Sequence, residues 1–119
     1  MKQISCAVID DEPIARDILE DFICQDERLI FYGNYKNAKE ALKGISTKPV
    51  ELVFLDINMP NQSGIEFVEE NFPLPCQIVF TTAYNEHAVK AFRLNALDFL
   101  LKPIDPDELE AAVNKCRNQ

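Results

Sequence analysis

Short, largely apolar runs alternate with stretches of helical spacing along the whole chain, and this alternation limits the fold more than any other feature of the sequence. Residues 4–9 (ISCAVI), 29–32, 52–55, 78–80 and 97–101 are hydrophobic and almost free of Gly and Pro, as buried strands require. Between them Ile14, Ile18, Leu19, Phe22 and Ile23 recur at helical intervals, as do Ala38, Ala41, Leu42 and Ile45, and, after the last run, Leu109, Ala112, Val113 and Cys116. A further short helix is predicted over 86–94, with Ala88, Val89 and Phe92 on one side. Helix starts are marked locally: Ser63 with Glu66 and Asp105 with Glu108 place a capping oxygen three residues before a glutamate. Pro106 takes a first helical position, and Asn37 with Glu40 repeats the signature more weakly. Strand-then-helix units joined by right-handed crossovers give a parallel sheet covered on both faces. The predicted fold is α/β, a single domain over residues 1–119 with a doubly wound five-stranded parallel sheet and helices on both faces.

At 119 residues the chain can bury a core without disulfides or a structural metal. Its four cysteines lack any C-x-x-C pairing and its single histidine, His87, cannot build a zinc site, so the cysteines are expected to be reduced and mostly buried. A net charge of −8, from 12 Lys+Arg against 20 Asp+Glu, argues against nucleic-acid contact by this segment. No apolar run is long enough for a membrane and no signal-peptide pattern opens the chain, so a cytoplasmic location is expected.

In an open parallel sheet, ligands bind beyond the carboxyl ends of the strands. There the sequence places Asp10, Asp11 and Glu12 after the first strand, Asp56 after the third, Thr81 and Thr82 after the fourth, and Lys102 with Pro103 after the fifth. Three aspartates brought together disfavour one another's charged forms and call for a counterion. Oxygen-only ligands at an open site suit Mg²⁺. A carboxylate nucleophile, a metal, an ammonium and a hydroxyl donor together suit phosphoryl transfer, in which positioning and charge neutralisation dominate.

The acidic pair after strand one, LDINMP after strand three, Thr after strand four and KP after strand five together resemble the receiver domain of a bacterial two-component response regulator over essentially the whole chain. The stretch TTAYNEHAVKAFRLNALDFLLKPID is most similar to the LytTR-type branch. This resemblance implies a flavodoxin-like (βα)5 fold, Asp56 as phosphoacceptor from a sensor histidine kinase, and Mg²⁺ held by Asp10, Asp11, Asp56 and the backbone carbonyl of Asn58. It also implies Lys102 and Thr82 on the phosphoryl group, a cis Lys102–Pro103 bond, and a switch in which Thr82 moves and Phe99 turns inward. Phe99 replaces the tyrosine of many relatives and has no hydroxyl to offer a partner. A phosphorylation-dependent homodimer through the fourth helix, fifth strand and fifth helix is expected, as is control of transcription through a C-terminal DNA-binding domain, the chain being read as excised from a longer regulator.

Plainer readings exist for single residues. Asp10 or Asp11 alone suits a cap for the first helix, Asp56 a loop before a turn, and Phe99 a core aromatic. For the whole chain the alternatives are a phosphorylation-independent docking module and a haloacid dehalogenase-like phosphohydrolase. The second places Asp at a strand end with Mg²⁺, but this chain has Asn58 where that class repeats an aspartate. No glycine-rich nucleotide motif is present.

Overall fold

The third apolar run becomes a strand with every residue buried, Leu52–Asp56 (β3), and it lies in the middle of the sheet. A central parallel strand covered on both faces has no solvent side and needs no polar alternation. In the computed structural model, which describes residues 3–71 and 75–117, β3 is flanked by Ile4–Ile9 (β1) and Gln77–Thr82 (β4). Outside these lie Leu29–Tyr35 (β2) and Asp98–Leu101 (β5), giving a five-stranded parallel sheet in the order β2-β1-β3-β4-β5.

The helices are Pro13–Cys24 (α1), Ala38–Thr47 (α2), Gly64–Glu70 (α3), Ala88–Arg93 (α4) and Pro106–Arg117 (α5), with a 3-10 turn over Asn85–His87 leading into α4. Strand alternation divides the core in two. Cys6, Val8, Phe54, Val79 and Leu100 meet Leu19 and Ile23 of α1 and Leu109, Ala112 and Val113 of α5. Ala7, Ile9, Leu55 and Phe80 meet Ala38 and Ala41 of α2, Ile65, Phe67 and Val68 of α3, and Ala91 of α4. Each fully buried valine, leucine, isoleucine or phenylalanine among them contributes about 1.5–3 kcal/mol by leaving water.

Capping follows the sequence at α3, where the Ser63 hydroxyl accepts the Glu66 N–H at 3.1 Å and the Glu66 carboxylate accepts the Ser63 N–H at 3.0 Å. Asn37 accepts the Glu40 N–H at 2.8 Å. At α5, Asp105 instead accepts the N–H of Asp107, at 2.8 Å. The cap position of α1 is Glu12, without a side-chain bond, so neither Asp10 nor Asp11 is the cap residue.

Three expectations need correction. The second strand was predicted to end at residue 32, but β2 continues to Tyr35. A register shift between Cys6 and Ala7 lets Gly33, Asn34 and Tyr35 keep pairing with β1 despite the poor strand propensity of glycine and asparagine. In α4, Phe92 is 65% exposed while Ala91 is 1% exposed. The sheet is met by the small side of the helix, and side-chain size misled the choice of face; the Val89 side chain lies outside the described residues. Of the cysteines only Cys6 is buried; Cys24 is exposed and Cys76 and Cys116 are half-buried, all of them free thiols.

Candidate functional site

The carboxyl ends of β1, β3, β4 and β5 gather the acidic and basic residues into one site. Asp10 follows β1 and is 0% exposed; Asp56 ends β3 and is 1% exposed. Oxygens of Asp10, Asp11 and Asp56 lie within 4.8 Å of one another. Lys102, two residues beyond the register partner of Thr81 on β5, sends its Nζ to Asp10 Oδ2 at 2.9 Å, to Asp56 Oδ1 at 3.5 Å and to Glu12 Oε1 at 3.6 Å. The Lys102–Pro103 peptide is cis.

Thr82 ends β4, and its hydroxyl donates to Asn58 Oδ1 at 2.5 Å and accepts the Tyr84 N–H at 3.2 Å. The Asn58 N–H donates to Asp56 Oδ1 at 3.2 Å, and its side-chain amide nitrogen lies 3.5 Å from Nε2 of His87, which packs edge-on against Tyr84. Phe99 is half-buried against the core that faces α2, α3 and α4, beside its register partner Phe80.

Burial first, and then the charge of Asp10, push the Asp56 carboxyl up to about 7, although Lys102 and the Asn58 N–H pull the other way. For Lys102, burial opposes the ammonium, but its hydrogen bond to Asp10 and the charges of Asp56, Asp10 and Glu12 outweigh that and raise its pKa. The site therefore holds more negative charge than its one lysine neutralises. Three carboxylates with converging oxygens and no nitrogen or sulfur donor fit a small hard cation, and Mg²⁺ matches this donor set.

The lysine's contribution is measurable. Lys102→Met is expected to lower the melting temperature of the metal-free protein by about 4–8 °C near neutral pH, because it leaves Asp10 and Asp56 buried without a counter-charge. Calorimetry should show a smaller loss at about pH 5, where the Asp56 carboxyl is largely protonated. An equal loss at both pH values would count against a charge-balancing role.

Sequence reasoning brought together the residues that the fold assembles, but it missed three neighbours. Glu12 was noticed only as part of an acidic run. Arg16, one turn into α1, donates from Nη1 to the backbone carbonyl of Asp10 at 2.7 Å. Gly64 packs directly against the Asp56 backbone: a Cβ there would lie 2.4 Å from the Asp56 carbonyl oxygen.

The family model for the response regulator receiver domain matches residues 6–114. The chain belongs to the response regulator receiver domain family. This receiver is 46% identical over 116 residues to an uncharacterized response regulatory protein of Shewanella oneidensis, an alignment covering 96% of this chain and 49% of that protein. It is 38% identical over 120 residues to the transcriptional regulatory protein BtsR of Escherichia coli K12 (98% and 49% covered). It is 37% identical over 114 residues to the sensory transduction protein LytR of Staphylococcus haemolyticus (94% and 44%). The receiver thus spans about half the length of these curated relatives.

Among solved structures, the response regulatory domain of mrkE from Klebsiella pneumoniae superposes with a TM-score of 0.85 at 30% identity, covering 97% of this chain and 96% of that one. The response regulator domain of Thermotoga maritima CheB gives 0.81 at 25% identity, with 98% of each chain covered. The receiver is a signalling domain of two-component systems, and the dehalogenase-like reading gives way to the family match. Among the described residues, no helix is long and apolar enough to cross a membrane.

Proposed function

We propose that this receiver takes a phosphoryl group on Asp56 from a phosphohistidine of a sensor histidine kinase and thereby switches an output. The observation that carries this reading is the convergence of Asp10, Asp11 and Asp56 oxygens within 4.8 Å, beside the Lys102 ammonium. An Asp56 oxygen bonds to phosphorus, and the phosphorus–nitrogen bond breaks. Its electron pair stays on the imidazole, which takes up a proton. Asp10, Asp11, Asp56 and the backbone carbonyl of Asn58 would hold Mg²⁺, which when bound offsets charge on the phosphoryl oxygens. Lys102 leaves its carboxylate partners to meet the phosphoryl group, and the Thr82 hydroxyl gives up Asn58 to donate to it.

The vacated space lets Phe99 turn inward, biasing a pre-existing equilibrium of the face formed by α4, β5 and α5. That face is the proposed site of homodimer formation. Control of transcription is the proposed output, in keeping with the name of the BtsR relative, with a C-terminal DNA-binding domain as the proposed effector and the cytoplasm as the proposed location. Incubation with acetyl phosphate and Mg²⁺ tests the reading by intact mass: one phosphoryl gain on wild type, absent without metal, is expected. No gain on wild type would replace this reading with a docking module that works without phosphorylation.

A further inference from the structure

Side chains at the carboxyl edge of the sheet form a row. Ile9 is in register with Leu55, so Asp10 and Asp56 follow side by side; Asp56 pairs with Thr81, and Thr81 with Leu100. Strand alternation puts these four on the face of Val8, Phe54 and Val79, the face covered by α1 and α5. Lys102 reaches from β5 across this row to Asp56 and Asp10. Thr81 is therefore the register partner of Asp56 on the neighbouring strand, the two strands lying about 4.8 Å apart, on the face that Lys102 crosses.

Thr81 is 1% exposed, and its hydroxyl oxygen is buried without a hydrogen-bond partner. A buried unpaired hydroxyl is destabilising, and valine would fill the same space without that cost. The other donors at the site are engaged: the Asn58 N–H and Lys102 approach Asp56 Oδ1, and Thr82 donates to Asn58. Among the described residues, Thr81 is the buried side-chain donor next to the acceptor aspartate that has no partner.

We propose that the Thr81 hydroxyl donates to the Asp56 carboxylate as the phosphoryl group leaves, so that Thr81 sets how long the phosphorylated state lasts. The proposal rests on the acceptor role of Asp56 given above. In hydrolysis, the oxygen of water bonds to phosphorus while the phosphorus–oxygen bond to Asp56 breaks. The electron pair of that bond returns to the carboxylate, and the water proton leaves with phosphate. Lys102 is then drawn to the phosphoryl oxygens, and charge grows on Asp56 before the ammonium returns. A hydroxyl in the adjacent register position takes up that charge, which lowers the barrier for release.

The test uses the full chain as wild type, Thr81→Val and Thr81→Ser. Each is phosphorylated with acetyl phosphate and Mg²⁺ and desalted, and loss of the phosphoryl group is followed by intact mass. Thr81→Val is expected to lengthen the lifetime about three- to tenfold. Its melting temperature should equal or exceed that of wild type, and Thr81→Ser, which keeps the hydroxyl, should restore the wild-type lifetime. An unchanged or shorter lifetime in Thr81→Val, or a serine variant that behaves like valine, overturns the proposal and leaves the Asp56 assignment standing. Failure of wild type to gain a phosphoryl group overturns both.

Discussion

Asp56→Asn is expected to abolish phosphoryl gain and, in the absence of Mg²⁺, to make the protein more heat-stable at about pH 8. Burial and Asp10 hold the Asp56 carboxyl near 7 in the fold, against about 3.9 in an unfolded chain. A carboxyl raised on folding keeps its proton in the native state over a range where the unfolded chain has lost it. The protein therefore bears no penalty from this group below about pH 4, loses stability as pH rises toward about 7, and carries the full cost above that. Asparagine keeps the shape and removes the charge. A gain of about 5–10 °C in melting temperature is expected at about pH 8 in chelator, shrinking to almost nothing at about pH 4. Saturating Mg²⁺ should reverse the ranking, since it stabilises wild type by binding the native state and finds one carboxylate fewer in the variant. An asparagine variant less stable than wild type in chelator at about pH 8 would show that the aspartate is not strained by its neighbours.

Gly64→Ala should be the most damaging single-atom addition near the site. The new Cβ would meet the Asp56 carbonyl oxygen at 2.4 Å and backbone carbons of Asp56 and Ile57 at 3.1 Å, and backbone cannot rotate away as a side chain can. The segment must shift, and it aims Asp56 and presents Asn58. It also loses the Gly64 N–H bond to the Ile57 carbonyl, now 3.0 Å. A cost of about 2–4 kcal/mol, or a fall of about 10 °C or more in melting temperature, is expected. Phosphoryl uptake should fall at least about tenfold, since a displacement of about 1 Å is expensive in a positioned reaction. Gly33→Ala is the control, because its Cβ would approach Tyr35 no closer than 3.5 Å. Comparable losses in both variants would mean that glycine matters here for reasons other than close approach to Asp56.

The strand ends were legible because apolar runs that stop at a charge are uncommon, and topology then forces Asp10, Asp56, Thr82 and Lys102 onto one rim. The capping box at Ser63 was legible for the same local reason. Gly64 leaves no signal in the spacing: no glycine among the described residues has positive φ, and the need for a missing side chain is set by the backbone at the end of β3, eight residues earlier. Arg16 and Glu12 reach the site through helix geometry that spacing alone does not fix. Phe92 failed because size predicts burial only when the fold presents the right face, and here Ala91 takes it.

Lys102 follows β5, an edge strand, whereas its buried partners Asp10 and Asp56 follow β1 and end the central strand β3. An edge strand of four residues can detach while the remaining ladder stays paired. Each such opening carries off the ammonium and leaves the aspartates facing one another. Amide exchange on β5 should then be faster than on β3, and slower when Mg²⁺ is present. On the switching role proposed above, the readiness of the receiver to change state would be tied to excursions of this edge strand rather than to the strength of its interior.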